Sequence, residues 1–198
     1  MNGEELLWQR IVVTVSGLVY WGGVLIQARR VRKQIGRTPN LKPKGTKERL
    51  LWVGWTLVVL GWIAQPLWLH ETDSWYGIRG GLVHPAASVA GLVLIILGYA
   101  ATLWCYAAMG GAWRIGIDET GTSKLVQSGP YRRIRHPIYG FQMTMLIGAA
   151  LLLPTWISLA ILVIHYLCAS FKAKDEERHL LKVFGEEYRA YMQRTRRF

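Results

Sequence analysis

The chain has 198 residues, 52% of them hydrophobic and only 18% charged, with ten tryptophans and a formal net charge of +12. That balance excludes an ordinary soluble domain, and two cysteines (Cys105 and Cys168) exclude a disulfide framework or a cysteine metal site. The positive charge is no nucleic-acid signal either, because it clusters at the ends of uncharged stretches in the pattern that sets membrane topology.

The first such stretch runs from Ile11 to Ala28. It is preceded by Glu4 and Glu5 and followed by Arg29 and Arg30, with no basic leader and no small-residue cleavage site, so it reads as a membrane helix rather than a signal peptide. A basic linker follows, RRVRKQIGRTPNLKPKG (29–45), whose reading is a topology anchor with lipid head-group contact as the alternative. Leu50 to Leu69 and Leu82 to Met109 are the second and third spans, each near the 20 residues that cross a bilayer. Between them, HETDSWYGIRGG (70–81) is a short outer loop, and Trp52, Trp68 and Trp75 suit an interfacial belt.

Residues 137–171 form an apolar run too long for one crossing, with Pro154 at its middle. Proline removes a helical hydrogen bond and clashes with the preceding turn, so the run is predicted to be a tight hairpin of two helices, about 138–153 and 155–171. The fold class is therefore all-α: an integral membrane protein with five transmembrane helices, the last two a hairpin, plus short helices in the C-terminal segment. We read 1–198 as one membrane domain, with a three-helix part (1–109) and a site-bearing part (110–198). Placing the N-terminus outside puts 22 of the 24 Lys and Arg residues on the cytoplasmic side, leaving only Arg10 and Arg79 opposite.

Polar chemistry gathers on either side of the hairpin. Before it lies MGGAWRIGIDETGTSKLVQSGPYRRIRHP, a long loop ending in three arginines and a histidine. Pro137 suits the first turn of a helix, which puts His136 near the N-cap and aims free N–H groups at an anion site beside Arg135. Tyr139 falls in the first turn. After the hairpin, Asp175, Glu176 and Glu177 return to the same face, so a mixed-charge pocket is one reading and solvated helix-terminal charges the other. Gly185 suits a helix end, with Tyr188 and Tyr191 on a short helix beyond it. The five histidines (70, 84, 136, 165, 179) are scattered, so no metal site is expected.

In that order, LVQSGPYRRIRHPIYG, the hairpin and EERHLLKVFGEEYRAYM resemble the isoprenylcysteine carboxyl methyltransferase family and the wider group that includes phospholipid N-methyltransferases. The resemblance covers about residues 109–196, and upstream the first three helices match only in hydropathy. It implies S-adenosylmethionine as cofactor and S-adenosylhomocysteine as product, in a cytoplasmic-side pocket. Carried onto this sequence, Arg135, His136 and Glu177 would be catalytic. Tyr131, Arg135, His136, Pro137, Tyr139, Glu176, Glu177 and Tyr188 would bind the cofactor, and Arg132 and Arg133 fall at variable positions. A lipophilic acceptor would enter from the bilayer: an isoprenylcysteine-type carboxylate first, a phospholipid amine or small thiol as alternatives. NADPH-dependent sterol or isoprenoid reductases resemble the same C-terminal pattern and form the rival enzyme reading.

Overall fold

The computed structural model describes residues 3–36, 39, 43, 45–68, 84–113 and 125–198. The outer loop 70–81, most of the linker beyond Gly36 and the loop stretch 114–124 lie outside the described residues, as does the side chain of Trp68. Among the described residues five α-helices make up the fold: α1 (Gly3–Ile35), α2 (Gly45–Trp68), α3 (Pro85–Met109), α4 (Pro137–Leu152) and α5 (Trp156–Arg194). Four of them are long and apolar enough to cross a membrane, and α4 is a shorter apolar helix. No strand occurs among the described residues, only an isolated bridge between Ile134 and Arg196.

The helices pack as a ring. α3 lies against α4, α4 against α5, α5 against α2, α2 against α1, and α1 closes back on α3. The outward face is apolar: Leu57, Leu60, Ile96, Leu97, Trp104 and Val163 are all at least 45% exposed. A soluble protein hides such residues, so this surface is built for lipid. The chain is a multi-pass, all-α membrane protein.

The tightest seam is between α3 and α4. A Cβ added to Gly148 would lie 2.5 Å from the Gly91 carbonyl, and one on Gly91 would lie 2.6 Å from the Gly148 carbonyl. Gly98 likewise leaves no room against the Phe141 carbonyl, at 2.8 Å. Small residues replace side-chain interdigitation here, as expected where lipid removes the hydrophobic drive between helices.

The hairpin forms where Pro154 predicts it. α4 ends at Leu152, and Thr155 caps α5 by accepting from the Ser158 amide at 3.0 Å. Gln65 of α2 donates to Thr155 Oγ1 at 2.6 Å and to Ser158 Oγ at 3.0 Å, tying the turn to its neighbour. Arg10, one of the two basic residues expected on this face, donates to the Pro66 carbonyl at 2.7 Å and satisfies an end of α2.

At the opposite end lie the basic segments. Lys172 pairs with Glu48 at 3.2 Å and Lys47 with Asp175 at 2.7 Å, so the start of α2 and the outer part of α5 share one face. One detail differs from the sequence expectation. α5 does not stop near Phe171 but continues as one rod until Gly185, whose φ of 52° breaks the helix before it resumes.

Candidate active site

The site is assembled where this basic end meets the start of α4. Gly129 has φ +57°, which lets a 3₁₀ turn (Gly129–Arg132) lie against Trp104 and Ala108 of α3. The turn buries Tyr131, whose carbonyl accepts from the Tyr191 hydroxyl at 2.6 Å. Arg132 and Arg133 stay exposed. His136 is the N-cap residue of α4 and Pro137 its first-turn proline, as the sequence indicates.

Residues 195–198 then stitch onto this segment. The Arg135 amide donates to the Arg196 carbonyl at 2.8 Å, the His136 amide to the Arg197 carbonyl at 3.1 Å, and the Arg196 amide to the Arg133 carbonyl at 3.0 Å. This short backbone ladder carries Arg197 and Phe198 into the site. Sequence reading missed both, since nothing local marks residues so far along the chain as partners of the RHP segment.

Glu177 is the hub. It is 4% exposed and accepts from Arg135 Nε at 3.0 Å and from Arg197 at 2.6 and 3.1 Å. His136 Nε2 lies 3.4 Å from the same carboxylate, within ion-pair range but without hydrogen-bond geometry. Arg135 also donates to the carbonyls of Met192 and Thr195. The anion position expected at the start of α4 is thus filled by the protein's own Glu177.

Burial opposes ionisation of Glu177, but the neighbouring His136 and the hydrogen bonds from Arg197 and Arg135 outweigh it and hold the carboxyl well below the usual range. Burial likewise disfavours charge on His136, yet Glu176 and Glu177 together raise its pKa above the ordinary imidazole value. The corner therefore favours the charged form of both partners.

Glu176, one residue earlier, does something different. It accepts from the Tyr139 hydroxyl at 2.8 Å, faces His136 Nδ1 at 3.2 Å, and lines a cavity of about 500 Å³. Arg135, His136, Tyr139, Tyr131 and Tyr188 line the same cavity; Pro137 and Glu177 sit behind its wall. Burial raises the pKa of the Tyr131 and Tyr188 phenols, so they remain protonated donors. Among the described residues the Tyr188 hydroxyl has no partner. Trp55 stacks on Tyr139 (centroids 5.9 Å apart), and Tyr139 stacks on His136 (6.0 Å), making an aromatic ladder up one side.

The cavity extends toward the membrane part of the bundle along Val24 and Leu25 of α1 and Trp52, Trp55 and Val59 of α2. Leu25 and Trp52, which line it, are 60% and 47% exposed. Both parts of the chain thus build one chamber. Among the described residues, no group of three or more His, Cys, Asp or Glu side chains is arranged for a metal.

A model of the phospholipid methyltransferase family matches residues 86–187, which is α3, the RHP segment, the hairpin and the acidic stretch through Gly185. The chain belongs to the phospholipid methyltransferase family. It is a membrane methyltransferase, within the wider group that the motif order resembles. No curated protein matches the chain. The match leaves out α1, α2 and residues 188–198, yet these supply the bilayer side of the chamber and the Arg197 clamp. Part of the chamber wall and the Arg197 clamp therefore lie outside the matched segment.

Proposed function

We propose that this methyltransferase uses S-adenosylmethionine to methylate a polar group on a lipid that enters laterally from the bilayer. The observation that carries the reading is the single chamber joining a carboxylate-and-aromatic corner to an apolar wall built by α1 and α2. Its volume suits a small-molecule site. The residues fit the cofactor's chemistry: Glu176 offers a carboxylate to a cationic ligand, the Tyr139–Trp55 ladder offers aromatic faces, and Tyr188 offers a buried donor that lacks a protein partner among the described residues.

The bound cofactor supplies a methyl group on a sulfonium, whose transfer releases a neutral thioether. The enzyme's own task is then positioning and exclusion of water. Arg135, Glu177 and Arg197 fix the start of α4 relative to α5, which sets where Tyr139 and Glu176 stand. Glu176, in ion-pair range of His136 Nδ1 at 3.2 Å, is the carboxylate that can hold a proton taken from an acceptor.

The resemblance implies three acceptors: an isoprenylcysteine-type carboxylate, a phospholipid amine or a small thiol. An isoprenylcysteine-type carboxylate would call for a cation on the wall. The wall's arginine and lysine, Arg135 and Lys172, are already held by Glu177 and Glu48, whereas Glu176 faces the chamber. That favours an amine-bearing lipid over the carboxylate. The basic distribution supports a cytoplasmic site with the N-terminus outside. Calorimetry on detergent-purified protein tests the cofactor: S-adenosylhomocysteine should bind wild type and fail to bind Glu176→Gln. Stabilisation by NADPH in its place would return the reductase reading.

A further inference from the structure

Deeper in the chamber, two side chains have polar hydrogens and nowhere to put them. Gln142 is 3% exposed, and its Nε2 is buried without a hydrogen-bond partner among the described residues. Trp21 Nε1 on α1 is in the same condition. Both residues line the chamber. A buried amide or indole donor left unpaired costs more than a typical hydrogen bond gains, so native structures seldom keep one without a ligand or water to receive it.

Gln142 lies one helical turn, about 5 Å, beyond Tyr139 on α4, and Trp21 lies about 10 Å inside the end of the first apolar stretch. Both lie on the membrane side of the polar corner, where a lipid whose head group reaches that corner has its chain linkages. Neither can accept from a ligand at these atoms: Trp offers a donor only, and the Gln Nε2 likewise. Val24, Ile138 and Val59, which line the chamber from the helices that carry the two donors and from α2, are apolar. A pure hydrocarbon chain there would leave both donors unsatisfied, while a carbonyl oxygen would satisfy them.

We infer that Gln142 and Trp21 form a two-donor subsite that receives a carbonyl oxygen at the chain linkage of the bound lipid, selecting acyl-ester lipids over ether-linked or wholly hydrocarbon ones. The inference rests on the reading of the chamber as the lipid-acceptor site, and it adds a specificity element outside the RHP motif and the acidic stretch.

The test uses full-length protein in detergent and two probes with the same ethanolamine head group and 14-carbon chains, one diester and one diether. Affinity is measured by titration for each, alongside S-adenosylhomocysteine binding in the same preparations. Wild type should favour the diester by roughly tenfold, the size expected for one to two hydrogen bonds. Gln142→Met and Trp21→Phe should each erode that preference by several-fold, leaving diether affinity and S-adenosylhomocysteine binding unchanged. Equal affinities in wild type, or a preference that survives both substitutions, would overturn the subsite. A wild type that prefers the diester but binds no S-adenosylhomocysteine would keep the subsite and contradict the cofactor reading instead.

Discussion

Replacing Glu177 by glutamine removes one charge and leaves Arg135, Arg197 and His136 facing each other. Arg135 is the costly one, because its side chain is 10% exposed and cannot turn to water. It keeps the carbonyls of Met192 and Thr195, which soften the loss. Arg197 is 36% exposed and returns to solvent, so its share is small. Removing one partner of a buried ion pair costs about 3–5 kcal/mol, and the retained contacts put Glu177→Gln near the lower end, about 3 kcal/mol. For a chain of this length that is a fall in Tm of about 6–12 °C. Cys105 and Cys168 are free and buried, so a thiol-reactive fluorophore reports unfolding directly in detergent. Glu176→Gln is the internal control, since Glu176 faces the chamber and is not part of the arginine clamp. A Glu177→Gln protein that melts with Glu176→Gln, or above it, would refute the view that Glu177 is the structural hub.

The same corner has a pH signature. His136 has a raised pKa, so the stability it contributes is complete below its unfolded value of 6.5 and declines as pH rises through the higher folded value. Thermal scans should show wild type losing Tm across that alkaline-going window and His136→Gln losing less; identical profiles would contradict the ionised corner. In the α3–α4 seam, Gly148→Ala places a Cβ 2.5 Å from the Gly91 carbonyl and should cost about 1–3 kcal/mol by forcing the helices apart. Gly140→Ala, with nothing within 4 Å of its added Cβ, should be neutral or slightly stabilising by the same melting assay. Gln65→Leu unties the hairpin turn from α2 at the far end of the bundle. It should lower Tm while leaving S-adenosylhomocysteine affinity unchanged in calorimetry.

What the sequence made legible was governed by local rules. Pro154 marks the hairpin because proline breaks a helix wherever it falls mid-run, and Gly185 marks the kink because its φ is positive. His136 and Pro137 mark the start of α4 for the same kind of reason. The rest depends on distant pairing. Glu176 and Glu177 are neighbours in sequence, but consecutive helical residues point about 100° apart, so one lines the chamber and the other clamps arginines. No periodicity ties Ile134 to Arg196, and the ladder that brings in Arg197 is visible only in three dimensions. Gly91 and Gly98 are spaced seven apart on α3, a pattern that names a close-packed face but not its partner. Gln142 reads as one polar residue in an apolar helix, and only the chamber turns it into an unpaired donor.

The most direct measurement is transfer of label from methyl-labelled S-adenosylmethionine to a lipid mixture containing an ethanolamine phospholipid and a prenylated cysteine, with wild type and Glu176→Gln in parallel. The account predicts label in the ethanolamine lipid with wild type and none with Glu176→Gln. Label in the prenylated cysteine alone would contradict the amine assignment, and no label in any lipid would contradict the proposed reaction itself.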